Sequence, residues 1–117
     1  LFELEPTSPG FPDFAFFAHY NDGLVHHVGR RDAEAVAALD RALALEATTQ
    51  ERYFVDMAHG MRAVSAYRAG VGDRGGADAR RFLATGTAEI NPALALMNQA
   101  IVAELAGDAP GAIARLW

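Results

Sequence analysis

Cysteine is absent from the 117 residues, and so is lysine, since all ten basic residues are arginine. Lack of cysteine excludes a disulfide framework, a thiolate nucleophile and cysteine-ligated zinc, and it fits a reducing compartment such as the cytoplasm. No uncharged apolar run approaches the ~18–20 residues of a membrane span. The opening Leu1-Phe2-Glu3-Leu4-Glu5-Pro6 lacks the basic region of a signal peptide. Positive charge is also in deficit, with 10 Arg against 15 Asp and Glu for a net charge of −5. That is the wrong balance for a nucleic-acid binder, which usually meets phosphates with surplus basic charge. We therefore expect neither nucleic-acid binding nor direct membrane insertion.

What is present points to one helical domain. Hydrophobic residues make up 51% of the chain, too many for a disordered segment. Alanine supplies 25 residues, and alanine is the best helix former because it loses no side-chain entropy. The absent initiator methionine and the proline-rich opening lead us to expect a segment of a longer protein.

Residues 1–12 hold three of the five prolines, Pro6, Pro9 and Pro12. Each fixes φ and removes a donor, so this stretch reads as an extended lead-in or linker. The helical domain is expected over 13–117. Its first helix starts near Asp13 as N-cap, buries Phe17, Tyr20, Leu24 and Val28 with Phe14, Phe16 and Val25 beside them, and ends at Gly29. A second starts at Asp32, with Ala35, Val36, Leu39, Ala42 and Leu43 on one side. A third opens at Thr48 or Thr49, with Glu51 at capping-box spacing. It carries Phe54, Met57, Met61 and Val64 inward and closes at Gly70 and Gly72. Gly60 inside it marks a close helix crossing or a kink. A short fourth helix runs from Ala77 to about Gly86, anchored by Phe82 and Leu83. Asn91-Pro92 restarts the chain as N-cap and first helical residue, with Leu94, Met97, Ile101 and Leu105 inward. Gly107-Asp108 separates it from a sixth helix holding Ile113, Leu116 and Trp117.

Gly72-Asp73 and Gly107-Asp108 lie 35 residues apart, each between a longer and a shorter helix, and Gly29-Arg30-Arg31-Asp32 plays the same part earlier. In these positions, together with Ala35, Leu39, Ala42, Leu96 and Ala100, the chain resembles the tetratricopeptide family of helical hairpin repeats, whose period is about 34 residues. Departures include Gln99 at a large apolar position, Arg68 at an aromatic or small one, and a 42-residue step from Ala35 to Ala77. The resemblance implies an all-α fold of three antiparallel helical hairpins stacked as a TPR-like superhelix. The run His19-Tyr20-Asn21 through Ala35, closing with Leu39-Asp40-Arg41-Ala42-Leu43, is also similar to the soluble C-terminal helical tails of bacterial site-2-type intramembrane metalloproteases. Their His-Glu-x-x-His motif and membrane spans are absent here.

Candidate chemistry is sparse. His19, Asp22 and His26 fall within about 60° of one another on the first helix, and His59 can be imagined as a further ligand from another helix. The simpler reading is a solvated or groove-lining polar face, because metal sites favour tighter sets such as i, i+4 histidine pairs. His27 and His59 read as hydrogen-bonded, partly buried residues. Ser65 lacks the glycine-bracketed elbow of hydrolases, and no spacing supplies it with an oriented base. Gly70-Val71-Gly72-Asp73-Arg74-Gly75-Gly76 lacks the preceding strand of a dinucleotide loop. The acids read as scattered over exposed faces.

These observations lead us to expect a non-catalytic protein-interaction, scaffold or regulatory module, with no cofactor. Its contact surface is expected near His19, Asp22, His26, Tyr53 and Arg62. Its partner is expected to be a peptide, another domain of the same polypeptide or a second copy in a homodimer. The alternative is a metal-binding helical enzyme or sensor using the histidine face.

Overall fold

A computed structural model of the chain describes residues 11–107, all of whose regular elements are helices. They are α1 (Phe11–Val28), α2 (Asp32–Leu43), α3 (Arg52–Ala69), α4 (Gly76–Leu83), α5 (Gly86–Glu89) and α6 (Pro92–Leu105). Both the sixth helix expected beyond Gly107 and most of the lead-in expected over 1–12 lie outside the described residues. The lead-in does not extend as far as Pro12, because α1 already contains Phe11 and Pro12, and proline is tolerated in a first helical turn where no N–H bond is needed.

Successive helices pack on one another through short turns, and α3 touches every other helix. Its buried residues accordingly run almost round the cylinder: Val55, Ala58, His59, Gly60, Met61, Ala63, Val64, Ser65 and Ala66. A helix enclosed in this way cannot keep a narrow apolar stripe. By contrast, α2 and α4 make no contact with each other. They flank α3 and leave part of it uncovered.

The inward face of α1 is rotated from the expected one. Phe16 and Tyr20 are buried, together with Gly23, whereas Phe14, Val25 and Val28 are exposed, Val28 by 72%. Gly23 explains the rotation, since a Cβ there would stand 2.5 Å from Leu39 Cδ2 of α2. The two helices are close because that atom is missing. Phe16, Phe17, Tyr20 and Phe54 then form an aromatic cluster, Phe17 and Phe54 meeting edge-on at 4.9 Å.

Turn chemistry departs from expectation at several ends. The left-handed residue closing α1 is Arg30, at φ 61°, rather than Gly29, and Arg31 N donates to His26 O at 2.9 Å as in a Schellman cap. At the end of α3, Gly70 takes this place, as expected, at φ 68°. The expected capping box of α3 is not formed, because the helix starts at Arg52 and Glu51 makes no side-chain cap. Thr49 Oγ1 instead donates to Asp13 Oδ1, which also accepts from Gln50 N at 3.1 Å. Asp13 thus ties the α2–α3 turn to α1 rather than capping α1. The expected fourth helix ends early, at Leu83: Thr85 is extended, its Oγ1 donates to Phe82 O at 2.6 Å, and a separate short α5 follows from Gly86. Asn91 and Pro92 start α6 as expected, but the Asn91 amide donates to Thr87 O at 2.8 Å rather than capping.

Candidate functional site

The gap between α2 and α4 is an open groove of about 590 Å³. One wall is the face Ala33, Val36, Ala37 and Asp40 of α2, spaced i, i+3, i+4, i+7 so that all four share a side. Arg62 and Ala66 of α3 form the floor. The turn from Val71 to Asp73, followed by Ala77 and Asp78 at the start of α4, makes the other wall. The start of α4 lies this close to α3 because Gly75 has no Cβ: at φ 80° one would stand 2.2 Å from Ala63 O.

One end of the groove is fixed by alternating charges drawn from four stretches of chain. Arg62 grips Asp78 with Nε and Nη2 at 2.8 and 2.9 Å, and reaches Asp40 Oδ1 with Nη1 at 2.8 Å. His59 Nδ1 lies 2.8 Å from Asp78 Oδ1, while its Nε2 faces Glu46 Oε1 at 3.4 Å. Glu46 also binds Arg81. Burial alone would push the Asp78 carboxyl up, but hydrogen bonds from His59 and Arg62 outweigh it and hold Asp78 below its ordinary value. The same competition at Glu46, with the Arg81 hydrogen bond as the chief opposing influence, also ends in a lowered pKa. An ionised carboxylate only accepts, so the proton of the Asp78 hydrogen bond sits on His59 Nδ1.

The residues expected to form one contact surface are distributed over three places. Asp22 and His26 join a surface chain on α1, in which Arg31 Nε donates to His26 Nδ1 at 2.8 Å, His26 Nε2 lies 3.3 Å from Asp22, and Arg41 reaches Asp22 at 3.4 Å. His19 is on the same helix and half-buried. Tyr53 donates to Asn91 Oδ1 at 3.4 Å, and only Arg62 lies in the groove. His59 is committed to Asp78 and Glu46, far from completing a set with His19, Asp22 and His26. Among the described residues no group of three or more His, Asp or Glu side chains is arranged to hold a metal ion.

Sequence reasoning missed two arrangements. Asp78 and Glu46, read as exposed acids, turn toward His59. The only available signal was Arg62 and His59 one turn apart on α3, both needing acceptors. Ser65 does meet a base, since His27 Nδ1 stands 3.1 Å from its Oγ. Burial first, and then Arg68, lower the His27 pKa, and the ring and the hydroxyl share one hydrogen bond. Ser65 itself is fully buried, so the contact is part of the core and opens to no substrate.

The chain matches no protein-family model, no curated protein and no solved structure. No helix among the described residues is long and apolar enough to cross a membrane.

Proposed function

We propose that this chain is a non-catalytic protein-interaction module of a larger bacterial protein, cytoplasmic in location, which receives a peptide segment in the groove between α2 and α4. The observation that carries the reading is the groove itself: two helices stand apart over a third, and the side chains facing the gap are small apolar ones together with the charged Asp40, Arg62, Asp73 and Asp78. Apolar side chains rimmed by polar groups are a feature that partner sites share. The packing order also supports a TPR-like stack of helical hairpins. Each of α1–α2 and α3–α4 packs as a pair, and α3 then contacts α1 behind it and α6 ahead. Stacked hairpins of this type bury what each cannot bury alone and leave extended surfaces for partners.

A panel of short peptides of acidic, neutral and basic composition, titrated into the ¹⁵N-labelled chain, tests the reading. At least one is expected to shift the amides of Ala33, Ala37, Ala66 and Val71 saturably. If none moves these signals, the reading is wrong.

A further inference from the structure

Resting on the reading that this groove takes a peptide, we propose that the occupant is both cationic and apolar, a segment with arginine or lysine beside aliphatic side chains. Among the described residues the lining holds three carboxylates, Asp40, Asp73 and Asp78, against one guanidinium, Arg62. That guanidinium is already engaged, with Nε and Nη2 on Asp78 and Nη1 on Asp40. The carboxylates keep accepting capacity. Asp40 is 57% exposed and gives only Oδ1 to Arg62. Asp73 accepts one backbone N–H on each oxygen, from Gly75 at 3.1 Å and Ala77 at 2.7 Å, and each carboxylate oxygen has a second lone pair. Arg80 approaches Gly76 but does not line the groove, and Arg74 is turned to Glu104 and the Tyr67 ring.

The remaining surface selects against the simpler occupants. Alanine and valine side chains offer a polycation nothing to bury, and they would leave its advantage to charge alone. An acidic segment meets like charge, in a chain whose net charge is already −5, and like-charge juxtaposition suppresses wrong partners. A segment combining guanidinium or ammonium groups with aliphatic side chains satisfies both parts of the lining.

The test uses two short synthetic peptides with the same leucine–alanine pattern, one with arginine and one with glutamate at the polar positions, and spermidine as a bare cation. Each is titrated into the ¹⁵N-labelled chain at low and high salt. The arginine peptide is expected to shift the groove amides and to weaken with salt, and the glutamate peptide to leave them unmoved. Asp40→Asn should weaken the arginine peptide about threefold. Ala37 is exposed, so both Ala37→Arg and Ala37→Glu should fold, as their amide spectra will report. The first should weaken binding about tenfold or more and the second should retain it. Binding of the glutamate peptide at the groove, or equal losses for the two Ala37 variants, overturns the cationic preference while leaving the peptide groove intact. Spermidine shifts as strong as those of the arginine peptide overturn the apolar part. Silence of the groove amides toward the arginine peptide overturns this inference, and the functional reading falls with it only if the neutral and acidic peptides of the wider panel are silent as well.

Discussion

His59 presents Nδ1 to Asp78 Oδ1 at 2.8 Å from inside the core, where the imidazole is only 4% exposed. Asp78 also holds Arg62 through both of its oxygens. Removing this carboxylate strands two donors at once, and an uncompensated buried charge costs far more than a paired one returns. Asp78→Ala is therefore expected to lower stability by about 3 kcal/mol, read from urea unfolding. Asp78→Asn, which can still accept, should cost less. A double-mutant cycle with His59→Gln should give a coupling of about 1–3 kcal/mol; additive losses would show that the two side chains act independently.

The same cluster makes stability fall in acid. Asp78 and Glu46 titrate below their ordinary values of 3.8 and 4.5 when folded, so in that window the unfolded chain binds more protons. Their contribution is complete above those ordinary values and disappears as pH drops through the folded ones. His27, also lowered from its ordinary 6.5, has the same sign at higher pH, with stability lost as pH falls below 6.5 toward its folded value. Urea midpoints between pH 3 and pH 8, chosen to bracket these values, should decline in two stages on acidification. His27→Gln should flatten the upper stage, and Asp78→Asn should reduce the lower one.

Arg30 closes α1 in the left-handed region, at φ 61°. Its Cβ crowds the backbone there, at a cost of about 1–2 kcal/mol that glycine avoids. Glycine also loses more freedom on folding, which offsets roughly 0.4–1 kcal/mol of that gain. Arg30→Gly should thus be neutral or stabilising by up to about 1.6 kcal/mol, an outcome opposite to that of most glycine substitutions. A clear loss in thermal midpoint would mean that the Arg30 side chain makes a compensating contact.

Helix content was legible from alanine abundance and from punctuation such as Gly70 and Asn91-Pro92, because these act locally. What escaped was anything set by a neighbour. Periodicity alone ranks Val28 with Tyr20, yet the approach of Leu39 to Gly23 turns Val28 outward. Thr48, Thr49 and Glu51 have the spacing of a capping box, but Asp13, 36 residues before Thr49, captures the hydroxyl. The groove was equally hidden. Arg62 was expected at a contact surface and does lie in the groove, whereas His19, Asp22, His26 and Tyr53 share no place with it, since a polar helix face does not announce which helix leaves it uncovered. Asp78 looked like any surface acid because its sequence does not contain the position of His59.

Three glycines separate conformational need from packing need. Gly70, at φ 68°, has open space where a Cβ would stand, so Gly70→Ala should cost only the left-handed penalty of about 1–2 kcal/mol. Gly60 has helical φ, but a Cβ would sit 2.9 Å from Leu94 Cδ2 and 3.0 Å from the Phe82 ring. Those side chains can shift, and alanine regains about 1 kcal/mol of helix propensity against an overpacking cost of ~1–3 kcal/mol. Gly60→Ala should accordingly be mildly destabilising. Gly75 combines both needs, with φ 80° and a Cβ position 2.2 Å from Ala63 O, and backbone does not yield as a side-chain tip does. Gly75→Ala should be the most damaging of the three, and it should widen the groove by pushing the start of α4 away from α3. Urea unfolding is expected to give losses in the order Gly75 > Gly70 ≥ Gly60, with amide shifts at Ala66 and Ala77 reporting the displacement. A Gly75→Ala protein as stable as Gly70→Ala would mean that α4 is not pressed against α3 at this point.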